Sequence, residues 1–545
     1  MSRKVFLVFL AIFFLAAFLR FYNVANIPPG VNRDEASIGY TAYSLLHTGK
    51  DEYGRFLPLS FQSFGDWKLP FYIYSVVPMV GVFGLEAFSV RLPSVIFGVS
   101  SVALTFILIR ALFKNDLLAL LTMFFVAISP WHLHLSRVES ESNTAVFFII
   151  LATILFLTSL KKNQWLIIPS AFFFALTYFT YAGNHIFTTL FVLGLVFIYR
   201  NEIKIKRNTI IAVAIFLGMT GLIFYHTLFG ANITKLSGIS IFGDPSTIHA
   251  KIEIPRNEHN NPSYVFAKLI HNRITFSLER IGQNYINSYS PDFLFIKGGD
   301  NKAHNISNFG NMYLIEALFL FLGLVYLIAV KKGKEKKLIL WWFFIAAIAA
   351  SITKDAPHTN RMFAIFPALP FVVASGLSWV TGDLLNKNFR KIAVLIICIF
   401  FILNFSIYID RYYIHFPRDE EENWGTGYKK LAAYLSESSN ASKKAIISRP
   451  NYSPYIYILF YGKFDPVLYQ RTAVRYPPTQ DQFVHVKAFD RFEFRDIDWG
   501  KDTLSKNTIL ADWTSQVPQS IKASSSKHEI VLSNGESMFT VIETK

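Results

Sequence analysis

The chain has 545 residues, of which 52% are hydrophobic and 17% are charged, whereas roughly 25% of residues are charged in soluble globular proteins. This composition excludes a disordered chain and an ordinary soluble enzyme, and the single cysteine, Cys398, excludes an intramolecular disulfide framework and a multi-cysteine metal site. The formal net charge is +16, so its distribution along the chain decides whether it indicates nucleic-acid binding or membrane orientation.

Apolar runs long enough to be membrane spans recur through the first 410 residues. A transmembrane helix needs about 20 mostly apolar residues to cross the hydrocarbon core of a bilayer. The first run follows Arg3 and Lys4, and no small-residue cleavage site comes after it, so we interpret it as an anchor and not as a signal peptide. Eleven runs are predicted to span the membrane: 5–22, 92–112, 117–133, 143–160, 165–182, 185–199, 209–229, 312–330, 338–353, 362–382 and 392–409.

The run 69–88 is equally apolar, but the charges of the loops argue against counting it as a span. It contains Pro70 and Pro78, which interrupt a continuous helix, and we interpret it as a re-entrant or juxtamembrane element. With this choice, the N-terminus and the turnarounds on its side carry 18 basic and four acidic residues, as the positive-inside rule requires of a cytosolic face. The chain is therefore predicted to be a multi-pass protein of the cell membrane with a cytoplasmic N-terminus.

The same topology explains the net charge and narrows the function classes. The cytosolic segments account for +14 of the +16, so the excess records membrane orientation and gives no indication of nucleic-acid binding. The loops 23–91 and 230–311 and all residues after about 410 are predicted to lie outside, where most remaining ionisable residues gather. Few charges are predicted at mid-membrane depth, which disfavours a transporter because transporters keep their substrate-binding groups there.

The tail 411–545 is predicted to be a soluble extracytoplasmic α/β domain that follows a membrane domain over 1–410. Its apolar runs are shorter than those of the membrane domain, and charged residues are more frequent. The pattern predicts helices at 426–437 and around 455–461, strands at 445–448 and 508–513, and a hairpin with Asn534-Gly535 at its turn.

The first outer loop begins with the sequence VNRDEASIGY. Asn32 or Asp34 is expected to cap a helix that ends at Gly49, which places Asp34 and Glu35 at a helix N-terminus. The helix dipole holds a carboxylate at this position in its ionised form. Acids in the first turn also stabilise helices without any chemical role, so a purely capping function is the alternative.

Two further groups of polar residues fall on the same predicted side of the membrane. The stretch FGDWKLP places Asp66 and Lys68 where the chain enters the run 69–88, and the stretch SPWHLHLSR places His132 and Arg137 in one short outer turn. A lysine at a membrane boundary often snorkels, and clusters of histidine and arginine often anchor to lipid head groups. Neither group is therefore specific by itself.

Taken in order, these motifs resemble the polytopic glycosyltransferases of the GT-C fold. The branch that contains the protein O-mannosyltransferases and the lipid A aminoarabinose transferase is the most similar. The resemblance covers about 30–410 and departs from the pattern at Leu69, where such sequences often carry a second proline. Its motifs are the Asp-Glu pair, DEYG at 51–54, GDWKLP at 65–70, VRLPS at 90–94, SPWHLHLSR at 129–137, and the stretches 291–310 and 356–367.

The resemblance implies an all-α polytopic membrane domain of GT-C type, with juxtamembrane helices beside about eleven spans. It implies an enzyme that moves a hexosyl or pentosyl group from a polyprenyl-phosphate carrier to an acceptor on the outer face of the membrane, with inversion at the anomeric carbon. Asp34 matches the family's catalytic aspartate, and an ionised carboxylate can deprotonate an acceptor hydroxyl. Arginine and lysine can stabilise the leaving phosphate, and the sequence contains no P-loop or dinucleotide fingerprint.

The predicted site combines residues from the outer loops. The predicted catalytic residues are Asp34 and Glu35, which also have the hard oxygen ligands that a divalent cation prefers. No ligand spacing requires a metal, so the cofactor stays undetermined. The predicted donor-phosphate-binding residues are Lys68, Arg137, His358 and Arg361. The predicted substrate-binding residues are Asp66, His132, Tyr285, Asp292 and His304.

Three other functions fit parts of the sequence. A lipid or sugar transporter would move its substrate without bond cleavage, and a glycan ligase would use a diphosphate-linked donor. A non-enzymatic scaffold would give the acids and bases of the outer loops no purpose. The partners expected of the transferase are a polyprenyl-phosphate sugar donor, a lipid, glycan or protein acceptor, and the bilayer; nucleic acid is not expected.

Overall fold

A computed structural model describes residues 1–64, 66–229, 248–259, 264–479, 483–523 and 527–544. Contacts divide the chain into two compact units. One comprises Met1–Phe21, Ile96–Ser136 and Ser140–Tyr408, and the other comprises Tyr22–Val95, Arg137–Glu139 and Ile409–Lys545. The first outer loop, which the sequence suggests is part of the membrane domain, therefore packs with the C-terminal residues.

Helices make up nearly all the described regular structure of the first unit. The helix Ala87–Phe113 belongs to this unit from Ile96 onwards. Two of these helices, Glu316–Val325 and Ala368–Trp379, approach closely because glycines face each other's backbone. A Cβ atom at Gly376 would lie 2.1 Å from the carbonyl oxygen of Phe319. The remaining helices are Arg3–Phe21, Asp116–Ile128, Pro130–Leu135, Glu141–Lys161, Ile167–Leu176, Asn184–Tyr199, Arg207–Phe229, Ile254–Asn257, Tyr264–Ile270, Arg273–Asn287, Lys334–Ile345, Ile348–Ser351, Thr359–Met362 and Lys387–Asp410.

Several of these helices have the length and composition of membrane spans. In the described residues five qualify: Arg3–Phe21, Ala87–Phe113, Glu141–Lys161, Arg207–Thr227 and Asn388–Asp419. The segments Thr359–Ile365 and Ala368–Leu384, bent by 57° at a short break, make a sixth if they are counted together. The other predicted spans contain shorter helices, so the total of eleven stays a prediction. The apolar helix Pro70–Phe83 has 14 residues and is as short as the helices of several predicted spans, so its interpretation as a re-entrant or juxtamembrane element also stays a prediction.

The second unit starts with the helix Arg33–Thr48, a two-stranded hairpin of β1 (Phe61–Ser63) and β2 (Asp66–Lys68), and the helix Pro70–Phe83. Its C-terminal part contains a seven-stranded sheet in the described residues, in the order β4-β5-β6-β3-β7-β9-β8. The strands are β3 (Lys444–Ile447), β4 (Val474–Arg475), β5 (Val486–Phe489), β6 (Phe492–Phe494), β7 (Thr508–Trp513), β8 (Lys527–Val531) and β9 (Ser537–Glu543). Its further helices are Phe416–Asp419, Thr426–Ser436, Pro454–Tyr461, Pro466–Thr472, Trp499–Asp502 and Gln519–Lys522.

The core of the second unit joins the first outer loop to the sheet. Ala445 and Ile447 of β3 belong to one buried cluster, whereas Ile446 packs in a smaller cluster on the opposite face, as the alternation of a strand buried on both faces requires. The larger cluster also contains Ile38 of the first outer loop and Ile458 of the tail. The predicted helices, the two predicted strands and the hairpin of the tail are confirmed, whereas β4, β5 and β6 have no counterpart among the predictions.

Candidate active site

The helix Arg33–Thr48 begins with a capping box, in agreement with the predicted cap. The side chain of Asn32 accepts a hydrogen bond from the backbone N–H of Glu35 at 2.9 Å, and Glu35 accepts one from the backbone N–H of Asn32 at 3.4 Å. Gly49 ends the helix with a φ of 67°, a left-handed conformation that favours glycine. Asp34 and Glu35 therefore occupy the first turn, where the helix N-terminus stabilises negative charge.

Asp34 presents an exposed carboxylate that is paired with a buried lysine. Lys68 Nζ lies 2.6 Å from Asp34 Oδ1, and the Lys68 side chain is 8% exposed whereas the Asp34 side chain is 47% exposed. Lys68 lies in β2, where its register partner is the buried Phe61 of β1. The Asp34 carboxylate is therefore accessible, charge-balanced and held in place, which suits a group that accepts a proton from a substrate hydroxyl.

Glu35 has a different environment, although it is the next residue. Its carboxylate accepts hydrogen bonds from Arg91 Nε at 2.9 Å and Arg91 Nη2 at 2.8 Å, and both side chains are fully buried. The backbone N–H of Glu139 also donates to Glu35 at 3.0 Å, and Arg91 donates to the carbonyl oxygens of Val24 and Pro28. This network holds the chain around the helix start together and indicates a positioning role for Glu35, whose predicted catalytic role stays a prediction.

Arg137, predicted to bind the donor phosphate, is also fully buried in the second unit. Its Nη2 donates to the carbonyl oxygen of Ile27 at 3.0 Å, and its guanidinium lies 5.0 Å from the ring centroid of Tyr413 and 5.5 Å from that of Tyr412. In this structure the guanidinium is enclosed by backbone and aromatic groups, which gives Arg137 a packing role. Its contact with the donor phosphate stays a prediction.

His132, predicted to bind substrate, is fully buried in the first unit. Arg20 Nη2 lies 2.9 Å from His132 Nδ1, and the same guanidinium donates to the carbonyl oxygens of Ala127 and Val126. The rings of Phe363 and Phe366 cover the imidazole. These contacts indicate that His132 secures helix ends in the core, and the predicted substrate contact has no support in the geometry.

The predicted residues His358 and Arg361 lie together in the first unit, next to a cavity of about 490 Å³. Arg361 Nη1 donates to Thr353 Oγ1 at 2.8 Å and to the carboxylate of Asp355, and its side chain is 15% exposed. Asp355 and His358 both line the cavity, together with the cationic residues Arg280 and Lys354. The complete lining comprises Arg280, Gly299, Asp300, Asn301, Asn305, Lys354, Asp355, Ala356, Pro357, His358 and Thr359.

The protonation state of His358 follows from its contacts. Its Nδ1 accepts a hydrogen bond from the backbone N–H of Arg361 at 3.3 Å, which places the proton of the neutral ring on Nε2, 3.8 Å from Asp355 Oδ2. Burial, and then the charge of Arg361, hold the pKa of His358 well below its usual range. Burial raises the pKa of Asp355, but the hydrogen bond and charge of Arg361 outweigh it and lower that pKa. His358 is therefore neutral at pH 7, and its contribution is an N–H donor and not a charge.

Of the other predicted substrate-binding residues, Tyr285 and Asp292 have local partners. Tyr285 donates from its hydroxyl to the carbonyl oxygen of Phe344 at 2.9 Å. Asp292 Oδ2 lies 3.4 Å from Lys297 Nζ, and both side chains are more than half exposed. Their substrate contacts stay predictions.

His304 lies close to the cavity residues, whereas nothing is described for the side chain of Asp66. The ring centroid of His304 is 5.3 Å from that of His358. The backbone of Asp66 pairs with Ser63 in the hairpin of β1 and β2, and its side chain lies outside the described part of the chain. Both assignments stay predictions.

Two features of the site were not predicted from sequence. Arg91 falls within the motif VRLPS, yet nothing in that motif indicates that its partner is Glu35, which is 56 residues away. Lys354 and Arg280 line the cavity but were not selected, because an isolated cation in an outer loop carries no distinguishing signal. No group of three or more histidine, cysteine or carboxylate side chains suited to hold a metal occurs among the residues that the structure describes.

Sequence comparisons identify relatives of this chain. Residues 10–252, somewhat under half of the chain, match the family model of dolichyl-phosphate-mannose-protein mannosyltransferase. The Bacillus subtilis (strain 168) protein named Putative mannosyltransferase YkcB is 28% identical over 175 residues, which cover 32% of this chain and 23% of that relative. The matched stretch thus spans less than a quarter of the relative's length.

Solved structures share the fold. ArnT from Cupriavidus metallidurans bound to undecaprenyl phosphate has a TM-score of 0.53 and 12% identity, with 99% of this chain and 97% of that chain covered. The oligosaccharyltransferase AglB from Archaeoglobus fulgidus, in complex with an inhibitory peptide and a dolichol-phosphate, has a TM-score of 0.51 and 14% identity, with 84% and 64% covered. At such identities the likeness shows the fold alone. The chain therefore shares its fold with these solved structures, resembles the mannosyltransferase family model over 10–252, and has several apolar helices long enough to span a membrane.

Proposed function

We propose that the protein is an inverting glycosyltransferase that moves a hexosyl or pentosyl group from a polyprenyl-phosphate carrier to an acceptor hydroxyl. The family match and the GT-C fold support a glycosyltransferase. Lipid phosphates are bound in two structures that share the fold, undecaprenyl phosphate in ArnT and dolichol-phosphate in AglB, and they support a lipid-linked donor. The acceptor is a lipid, glycan or protein.

The observation that carries the proposal is the pairing of an accessible Asp34 carboxylate with the buried Lys68. Asp34 accepts the proton of the acceptor hydroxyl as the acceptor oxygen attacks the anomeric carbon. The bond from the anomeric carbon to the phosphate oxygen breaks on the opposite face, and the electron pair leaves with the polyprenyl phosphate. Attack opposite the leaving group inverts the anomeric configuration. Glu35, fixed by Arg91, holds the helix start on which Asp34 lies.

The departing phosphate gains negative charge, which cations can stabilise. In the second unit, Lys68, whose ammonium balances the charge of the Asp34 carboxylate, is the cation proposed for the phosphate. Within the first unit, and considered by itself, Arg361 offers a guanidinium suited to bidentate binding of a lipid phosphate, and neutral His358 offers an N–H donor. Arg361 now pairs with Asp355, so phosphate binding there requires exchange of one anionic partner for another.

The proposed topology follows the distribution of charge. The N-terminus and the turnarounds on its side hold 18 basic and four acidic residues, which supports a cytoplasmic N-terminus in the cell membrane and eleven spans. In this topology residues 1–410 form the membrane domain. The α/β domain over 411–545 lies on the outer face, and sugar transfer takes place on that face. Labelling of single cysteines introduced on either side of each apolar segment, after replacement of Cys398, tests this assignment.

Purified full-length protein, supplied with a synthetic polyprenyl-phosphate sugar and extracts of cell-envelope acceptors, tests the reaction. We expect sugar transfer, an inverted linkage and release of a polyprenyl monophosphate. Mass analysis of the lipid product separates this reaction from a ligase, which would release a diphosphate. Substrate flux into proteoliposomes without cleavage of the lipid-linked sugar would instead identify a transporter.

A further inference from the structure

The C-terminal sheet has a point at which the connections of two neighbouring strands diverge. The strand β3 lies between β6 and β7 and is parallel to both. From β3 the chain proceeds towards β6, and from β7 it proceeds towards β9 and β8 on the other side. The carboxyl ends of β3 and β7 therefore form a topological switch point, where open α/β sheets have a crevice and bind ligands.

The loop that leaves β3 is held in an unusual backbone conformation. Arg449 has a φ of 58° and Ser453 a φ of 54°, which is the left-handed region that residues other than glycine rarely adopt. Two such residues in five positions cost conformational energy, and strain of this kind concentrates at binding sites. The Ser453 side chain is fully buried, and its hydroxyl has no hydrogen-bond partner within the described ranges.

The strained loop presents Arg449 on two aromatic rings. The Arg449 guanidinium lies 5.1 Å from the ring centroid of Trp513 at the end of β7 and 5.8 Å from that of Tyr452. The two rings are themselves 5.1 Å apart, and Tyr452 is 51% exposed. A guanidinium stacked on rings keeps its in-plane N–H donors available for a carboxylate or phosphate. No residue in the described part of the chain accepts a hydrogen bond from them or forms an ion pair with them.

The carboxylate of Asp512, behind the rings, already accepts hydrogen bonds. The buried Asp512 accepts hydrogen bonds from the hydroxyl of Ser448 and from the backbone N–H of Trp513 at 2.8 Å. Asp512 thus links the ends of β3 and β7, and its carboxylate also interacts electrostatically with the nearby Arg449 guanidinium, so an anionic ligand would share Arg449 with it. For a ligand, the described residues of this cluster offer the guanidinium edge of Arg449, the exposed face of Tyr452 and the Ser453 hydroxyl.

We propose that the cluster at this end of the sheet, made of Ser448, Arg449, Tyr452, Ser453, Asp512 and Trp513, is a binding site for a saccharide that carries a carboxylate or phosphate group. The guanidinium pairs with the anionic group, and the apolar C–H face of the sugar ring packs on the aromatic rings. The inference rests on the proposed glycosyltransferase function in one respect: it identifies the bound saccharide as part of the acceptor.

Binding to the full-length protein in detergent micelles, without any lipid-linked donor, tests the proposal. The probes are trigalacturonic acid for a carboxylate and mannose 6-phosphate for a phosphate, with neutral mannotriose and AMP for comparison. Affinities are measured by calorimetry and by saturation-transfer NMR for the wild type and for Arg449→Gln, Tyr452→Ala and Trp513→Phe. Arg471→Gln is the matched control, because Arg471 is an exposed arginine of the helix Pro466–Thr472 in the same unit.

We expect one of the anionic saccharides to bind, and to bind about tenfold or more weakly to Arg449→Gln while Arg471→Gln keeps wild-type affinity. If Trp513→Phe destabilises the domain, Tyr452→Ala still tests the aromatic contact, because the Tyr452 side chain is 51% exposed and its loss should leave the fold intact. The proposal is overturned if neither anionic saccharide binds, if Arg449→Gln binds as tightly as the wild type, or if AMP binds more tightly than both saccharides. These measurements need no turnover, so loss of transferase activity leaves them readable, and absence of binding in an active transferase would remove this site alone.

Discussion

Lys68 Nζ lies 2.6 Å from Oδ1 of Asp34, which stays accessible, whereas the neighbouring Glu35 is fully buried against Arg91. Successive residues of a helix point about 100° apart, so two adjacent acids in one turn face different surroundings. One carboxylate is available for proton transfer and the other secures the helix start. The two residues therefore give different predictions.

Asp34→Asn is expected to abolish sugar transfer. Asparagine preserves the shape of the side chain and removes its ability to take up the acceptor proton, which costs a reaction about 10²- to 10⁴-fold in rate. Expression, melting temperature and affinity for the polyprenyl-phosphate donor should stay near wild type. Transfer from a radiolabelled lipid-linked sugar is the measurement, and a variant that retains turnover contradicts the assignment of Asp34 as the base.

The matched control for this variant is Glu86→Gln. Glu86 is another exposed acid of the same compact unit with a lysine partner, since Lys463 Nζ lies 2.8 Å from its Oε1. Loss of such an exposed ion pair changes stability by about 1 kcal/mol or less. Transfer by Glu86→Gln should match the wild type, and an equal loss in both variants would indicate a general electrostatic effect and not base catalysis.

Glu35→Gln is expected to act on stability before it acts on turnover. The substitution leaves the Arg91 guanidinium buried without its counter-charge, and loss of one partner of a buried ion pair costs about 3–5 kcal/mol. The apparent melting temperature should fall well below that of Asp34→Asn. A Glu35→Gln protein that melts like the wild type but transfers no sugar would restore the direct catalytic role predicted for Glu35 from sequence.

Local patterns in the sequence predicted local structure well. The cap at Asn32, the end at Gly49 and the strands and hairpin of the tail follow from signals that lie within a few residues of each other. Helix segments also formed where apolar runs predicted them. The lengths of these helices could not be predicted from the apolar runs, because bends such as the 57° break before Ala368 depend on packing between helices.

The roles of polar residues were less predictable than the helices that carry them. Arg137 and His132 lie in a motif that the sequence assigns to an outer turn, yet both are fully buried. Whether an arginine meets solvent or a carbonyl such as that of Ile27 depends on contacts across more than 100 residues of chain. No local pattern contains that information, whereas the position of Asp34 in the first turn of a helix follows from a local cap at Asn32.

Arg361→Gln and Asp355→Asn are expected to change donor affinity in opposite directions. The first removes the cation proposed for the phosphate and leaves the Asp355 carboxylate to repel it, so polyprenyl phosphate should bind about tenfold or more weakly. The second removes the competing anion, so affinity should be equal to or higher than that of the wild type. Binding of a fluorescent polyprenyl phosphate measures both, with Arg273→Gln, an exposed arginine of the same unit, as control. Equal losses in both variants would mean that the ion pair only supports the fold.

Glu52 is a buried carboxylate of the second unit whose pKa is shifted. It is 1% exposed, and the hydroxyl of Tyr455 lies 3.4 Å from its Oε2. Burial raises the pKa of Glu52 to about 7, even though the nearby Arg475 guanidinium lowers it. Arg475 Nη2 also donates to the backbone carbonyl oxygen of Glu52 at 3.1 Å, so this residue of the first outer loop contacts the tail directly.

Stability of the wild type should therefore fall as the pH rises from about 4.5 to about 7. Below pH 4.5, Glu52 is protonated in both the folded and the unfolded protein. Between pH 4.5 and about 7, the folded protein keeps this proton whereas the unfolded chain releases it, so a rise in pH favours unfolding. The raised pKa corresponds to about 3 kcal/mol over this window. Glu52→Gln stays neutral at every pH, so the difference in melting temperature between the variant and the wild type should grow in the variant's favour from pH 4.5 to 7 and then level off. A difference that does not change with pH would show that the carboxylate is already ionised in the folded protein, balanced by Arg475.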